Sequence, residues 1–208
     1  MNKYLQDGKV GDPIFIFAHG AGAGMDHPFM ETMAHEIAKD GIHVVRFNFP
    51  YMVKRLVDGR KRPPDRAPVL LDAYREVIND FQSDAPIFIG GKSMGGRMAS
   101  LVAEQTKVSG LICLGFPFHP PGKPENFKGD HLKSISIPSL IIQGERDTFG
   151  KQAEFEDFSL SAAVETQFIA DGDHSFKPRK SSGLTEHENL LCAARLVQRF
   201  VMEQSCES

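Results

Sequence analysis

The stretch Ile87-Phe88-Ile89-Gly90-Gly91-Lys92-Ser93-Met94-Gly95-Gly96 limits what this chain can fold into more than any other. Its apolar start, after Pro86, reads as a strand buried on both faces, and Arg97-Met98-Ala99-Ser100-Leu101-Val102-Ala103-Glu104 behind it reads as a helix. Gly91 to Gly95 must therefore turn a strand directly into a helix, which commits the chain to an architecture of helices layered on a sheet. In such a turn the Ser93 backbone is strained and its hydroxyl is lifted above the sheet, and bulky side chains two residues before or after would collide with it. Gly91 and Gly95 remove those collisions. This is the layout of a nucleophile elbow, with the free N–H groups of the helix aimed at any negative charge that forms beside Ser93.

Two other readings compete. Gly91-Lys92-Ser93 also ends a phosphate-binding loop, but the first Gly of that motif would fall on Pro86, and a strand takes the place of the loop. The plainer reading, in which the glycines only bring a helix close to a sheet, stands until the rest of the chain supplies chemical partners for Ser93.

Ile14-Phe15-Ile16-Phe17-Ala18 is a second buried strand, and it runs into His19-Gly20-Ala21-Gly22-Ala23-Gly24. Small residues at the carboxyl end of a strand let backbone N–H groups approach a ligand closely. We expect the N–H groups of Ala21 and Met94 to form the two halves of an oxyanion hole, Gly22 to lie against substrate, and His19 to brace the loop. Asp26-His27-Pro28 opens a helix to about Lys39, and His43 to Phe49 is a strand broken by Pro50. From Lys54 to Arg66 the chain is a polar loop with six basic side chains. It either hangs beside the site, where Arg62 and Arg66 would meet a substrate carboxylate or phosphate, or is simply solvated.

A helix from Pro68 to about Asp80 leads to the elbow strand, and Gly110 to Gly115 is the next buried strand. Beyond it, Phe116 and Phe118 either wall an acyl pocket or fill core under a long loop. The strand Pro138 to Gly144 delivers Glu145-Arg146-Asp147 at its carboxyl end, and Glu165 to Ile169 delivers Asp171-Gly172-Asp173-His174. Thr185 and Glu188 form a capping box for a last helix, in which Leu190, Ala194, Val197 and Val201 recur at helical spacing.

A serine at an elbow needs a base, and the base needs an acceptor that fixes its tautomer and stabilises its cation. Ser93, Asp147 and His174 supply nucleophile, acid and base, each on a loop at the same end of a parallel sheet. Close helix packing alone does not account for these partners.

With those residues in place, His19-Gly20-Ala21-Gly22, Phe47-Asn48-Phe49-Pro50-Tyr51, the elbow, Gly144-Glu145-Arg146-Asp147-Thr148-Phe149-Gly150 and Asp173-His174-Ser175-Phe176 resemble an α/β-hydrolase. The resemblance is to a small, lidless branch related to dienelactone hydrolases and to the hydrolase-like testis-expressed and histone-acetyltransferase-complex subunit 3 proteins. It implies a mostly parallel sheet of about six or seven strands with helices on both faces and no cap domain, spanning one domain over residues 1–208. It also implies esterase or thioesterase chemistry, with Ser93 attacking a carbonyl, His174 relaying the proton and Asp147 orienting His174. Ser93 stands where dienelactone hydrolases carry Cys, so their lactone substrate does not carry over. The connection from Phe116 to Ile137 is too short for a cap, which implies a shallow site for small or protruding esters. A non-catalytic interaction module on the same fold, and another triad chemistry such as peptide or carbon–carbon bond hydrolysis, remain the alternatives.

Composition sets the remaining expectations. With 208 residues, 41% hydrophobic and 25% charged, the chain suits a single domain. A net charge of −3 argues against a nucleic-acid or membrane-surface partner. The first residues have no apolar signal core, and Ile14 to Ala18 is too short to cross a bilayer, so a cytoplasmic protein is expected. Cys113, Cys192 and Cys206 lack metal-ligand spacing, and no cofactor is expected. The expected partner is a small-molecule ester, with the oligomeric state left open.

Overall fold

The computed structural model describes residues 3–206. Seven strands form one sheet: β1 (Tyr4–Asp7), β2 (Ile14–Ala18), β3 (His43–Phe47), β4 (Ile87–Lys92), β5 (Gly110–Leu114), β6 (Ser139–Gly144) and β7 (Val164–Ile169), in the spatial order β1-β3-β2-β4-β5-β6-β7. All neighbours pair in parallel except β1, which pairs antiparallel with β3 at the edge. Five helices accompany it: α1 (Pro28–Ala38), α2 (Pro50–Asp58), α3 (Ala67–Asp80), α4 (Met94–Val102) and α5 (Glu186–Cys206).

Residue alternation decides which helix covers which face. Along β2, Ile14, Ile16 and Ala18 point into a core shared with Tyr74 and Val77 of α3 and with Met98 and Ala99 of α4. Phe15 and Phe17 point the other way, into a core with Met33 and Ile37 of α1 and Val197 and Phe200 of α5. Because both faces are covered, the central strands carry apolar residues at every position instead of alternating with polar ones. No segment between β5 and β6 builds a cap, and no described helix is long and apolar enough to cross a membrane.

Two elements depart from the sequence reading. The N-terminal residues form β1, a half-exposed edge strand whose short polar pattern carries little strand signal. The strand expected over 43–49 ends at Phe47, and the polar stretch after it begins as α2 instead of a loop. Pro50 occupies the first turn of that helix, where its missing N–H costs nothing, and Gly59 closes it at φ 70°. Within the stretch from Lys54 to Arg66, residues 59–66 are irregular.

Candidate active site

Ser93 sits between β4 and α4 with φ 52° and ψ −116°, a conformation that costs a non-glycine residue about 1–3 kcal/mol. Its N–H donates to the Leu114 carbonyl of β5 (2.9 Å), and its carbonyl accepts from Arg97 N–H (3.0 Å), so the sheet and the helix hold the strain between them. The flanking glycines are required: a β-carbon on Gly91 or on Gly95 would lie 2.5 Å from the Ala18 carbonyl oxygen. A serine preceding a helix ordinarily turns its hydroxyl onto the helix N–H groups. Ser93 makes no such bond, and its Oγ lies 2.8 Å from His174 Nε2.

His174 follows β7 on a loop pinned from several sides. Asp173 accepts from the N–H groups of Ser175 (2.8 Å) and Lys177 (3.0 Å), and Asn189 of α5 donates to the carbonyls of Ala170 (3.0 Å) and Phe176 (2.8 Å). Phe176, at φ 67°, is fully buried beneath it. His174 Nδ1 is 2.8 Å from Asp147 Oδ2, and a carboxylate there assigns the ring hydrogen to Nδ1 and leaves Nε2 to accept from the Ser93 hydroxyl. Asp147 is fully buried beyond β6, where its carboxylate also accepts from Phe149 N–H and from the Gln143 side chain (both 2.9 Å). Burial, aided by the nearby Lys92 cation, holds the His174 pKa below its ordinary value against the opposing pull of Asp147. The imidazole is therefore neutral and ready to accept a proton near neutral pH.

The loop after β2 owes its shape to α2. His19 Nδ1–H donates to the Gly20 carbonyl (2.7 Å) while Nε2 accepts from Phe49 N–H (3.1 Å), so the buried ring bridges the loop and the start of α2. The Tyr51 hydroxyl donates to the Ala21 carbonyl (2.9 Å), and Arg55 donates to the Gly22 carbonyl (3.1 Å). With these carbonyls drawn toward α2, peptide planarity turns the N–H groups of Ala21, Gly22 and Ala23 the other way. Met94 is the first residue of α4, and its N–H has no acceptor within the helix.

A family described as an alpha/beta hydrolase domain matches residues 11–202. The chain belongs to that family. Among solved structures, dienelactone hydrolase from Anabaena variabilis superimposes with a TM-score of 0.73 at 19% identity, over 96% of this chain and 90% of that one. XC6422 from Xanthomonas campestris, a serine hydrolase without a lid, superimposes with a TM-score of 0.69 at 20% identity, covering 96% of this chain and 88% of the other. Over an alignment of 132 residues that covers 60% of this chain, the sequence is 28% identical to non-reducing polyketide synthase CTB1 of Cercospora nicotianae, and the match spans 6% of that much longer protein.

Within this alpha/beta hydrolase domain, a cavity of about 300 Å³ opens on Ser93 and His174. The small-residue loop, including Ala21 and Gly22, lines it on one side, and Phe29 and Met30 of α1 form an apolar wall. Four sequence candidates lie elsewhere. Phe116 and Phe118 are fully buried and do not line the cavity; Phe118 packs against Phe127, Phe155 and Phe158, so these rings fill core under the long loop. Arg62 is ion-paired with Asp58, the last residue of α2, four residues back, and Arg66 precedes the first turn of α3, its carbonyl accepting from Val69 N–H. Neither lines the cavity. The basic residue of that stretch that reaches the site is Arg55, through Gly22. Sequence reading also passed over Gln143, Tyr51 and Lys92. Gln143 and Lys92 sit at the carboxyl ends of strands that deliver site residues, and that position is the signal that could have found them.

Proposed function

We propose that this chain hydrolyses a small carboxylic ester or thioester through an acyl-enzyme on Ser93. The observation that carries the reading is the unbroken hydrogen-bonded chain Ser93–His174–Asp147 opening on a cavity of small-molecule size. In the first half-reaction Ser93 Oγ bonds to the substrate carbonyl carbon as its proton passes to His174 Nε2. The oxyanion is received by the N–H groups of Ala21 and Met94, and Asp147 holds the imidazolium in register. Collapse breaks the bond to the leaving alcohol or thiol, which takes the proton from His174. In the second half a water attacks the acyl-enzyme with His174 again as base, and the carboxylic acid is released with Ser93 regenerated. A volume near the lower limit of ligand pockets, about 300 Å³, suits short substrates, and the uncapped site suits esters that protrude. The fold likeness to dienelactone hydrolase, an enzyme of a cyclic ester, is consistent with this chemistry.

A fluorophosphonate probe read by intact-protein mass tests the reading. Wild type should gain one adduct and Ser93→Ala none, and Ser93→Ala should lose several orders of magnitude in turnover of an activated ester. A folded wild-type protein that takes no label refutes the assignment.

A further inference from the structure

Lys92 stands directly before Ser93, on the last residue of β4, and is 92% buried as a wall of the cavity that holds Ser93 and His174. A β-carbon placed on Gly20 would lie 3.8 Å from Lys92 Cγ, and one placed on Gly115 would lie 3.1 Å from Nζ and 3.3 Å from His174 Nδ1. The side chain thus passes from beside Gly20 to beside Gly115 and the His174 ring, and its ammonium lies 5.7 Å from the centroid of the Phe29 ring in the apolar wall, behind the cavity surface, so that the side chain must turn about its torsions to present Nζ to a bound molecule. Nζ is buried with no hydrogen-bond partner among the described residues.

That is a costly state for a cation, because a buried ammonium is stable only when paired. The two nearby carboxylates that attract it are engaged elsewhere. Asp147 accepts from Gln143, Phe149 N–H and His174, and Asp173 from the N–H groups of Ser175 and Lys177. Burial lowers the Lys92 pKa to about 8, which still leaves the group charged at neutral pH.

We propose that Lys92 is a specificity residue that selects esters whose acyl part carries a free carboxylate, pairing its ammonium with that carboxylate while the ester carbonyl faces Ser93. The inference rests on the hydrolase reading above. Half-esters of short dicarboxylic acids are the substrate class: one cation balances one carboxylate, whereas a phosphate would leave excess charge in a dry cavity. The cavity volume of about 300 Å³ limits the acyl chain to a few carbons. Phe29 and Met30 would pack against the methylenes between the two carboxyl carbons.

The test compares esters that differ only in charge: para-nitrophenyl butyrate with para-nitrophenyl hemisuccinate, and the pentanoate with the hemiglutarate, each corrected by a Ser93→Ala blank. In wild type the ratio of kcat/KM, charged over neutral, should exceed that in Lys92→Met by about tenfold or more, the worth of a charge-assisted contact. Lys92→Gln serves as a second variant should the Met protein not fold. Equal ratios in wild type and variant overturn the proposal. Calorimetric titration of glutarate reads the site without turnover: binding to Ser93→Ala that is lost in Ser93→Ala/Lys92→Met supports it, and no binding to either overturns it. Failure of fluorophosphonate labelling, by contrast, removes the hydrolase reading and leaves the glutarate measurement to decide on the anion site.

Discussion

Acid should destabilise this protein through His19, and a single substitution should remove that part of the effect. The ring is fully buried, and both nitrogens are committed, Nδ1–H to the Gly20 carbonyl and Nε2 to Phe49 N–H. Protonation would set an N–H of the ring against the N–H of Phe49. Burial accordingly lowers the His19 pKa to about 4, while the unfolded chain titrates near about 6.5. Between these values the unfolded state binds the proton and the folded state does not, so stability is full above about pH 6.5 and falls as the pH drops toward about 4. At about 1.4 kcal/mol per unit, the loss is about 2 kcal/mol by pH 5 and about 3 kcal/mol across the window. Urea unfolding of wild type and His19→Gln, each at about pH 7.5 and pH 5, isolates the contribution, because His43, His131 and His174, also shifted down by burial, are present in both proteins. Wild type should lose about 2 kcal/mol more than the variant over that interval. Equal losses would show that the His19 ring is free to charge in the folded state, and the argument from its two committed nitrogens would fail.

Three further outcomes follow from the same geometry. The acid limb of kcat/KM should lie below about pH 6.5, since burial and Lys92 oppose charging of His174 more than Asp147 and Asp173 favour it; Lys92→Met should move the limb upward, and an unmoved limb in a pH–rate profile would refute the electrostatic contact. Gly95→Ala forces a methyl to 2.5 Å from the Ala18 carbonyl oxygen, so Ser93 must shift, and the rate of fluorophosphonate labelling should fall about 100-fold; a wild-type rate would mean that the elbow tolerates a side chain. Arg55→Met removes the donor to the Gly22 carbonyl from a partly exposed side chain and should lower kcat about tenfold while changing stability by less than about 0.5 kcal/mol, as read by ester turnover and urea unfolding.

Much of the fold was legible because the physics is local. The β2 residues Ile14–Ala18 are a continuous apolar run, as burial on both faces demands, and the glycine spacing around Ser93 announces a turn that no bulkier residues could make. The order of Ser93, Asp147 and His174 could be read for the same reason: each lies within five residues of the end of a strand that can be recognised. The contacts that pin them were not legible. Gln143 reaches from within β6 to Asp147 four residues on, a contact set by the turn that brings the chain back over the strand end, and Asn189 reaches the His174 loop from α5 over a sequence distance that no local pattern encodes. Phe116 and Phe118 show the converse difficulty, since an aromatic pair following a strand looks the same in sequence whether it walls a pocket or fills core.

The stretch after β3 carries the largest lesson about function. Its charge drew attention to substrate binding by Arg62 and Arg66, yet Arg62 is spent on Asp58 and Arg66 precedes α3 away from the cavity. What matters is that the stretch begins as a helix. Pro50 starts α2 directly after β3, and Tyr51 and Arg55, one helical turn apart, then face the same way and tie down consecutive carbonyls of the small-residue loop. A glycine-rich loop left to itself would sample many conformations, and an oxyanion site works only when its donors are held before the charge develops. Under the proposed mechanism, the flexibility that would let the loop approach a substrate is thus offset by a rigid neighbour, and His19 ties the two together. On this reading Tyr51→Phe and Arg55→Met should each lower kcat with little change in KM, and together they should lower it by more than the product of the two single effects, because the loop keeps one anchor in each single variant. Additive losses in the free energy of activation would mean that the two donors act on independent peptides and that α2 does not brace the loop as a unit.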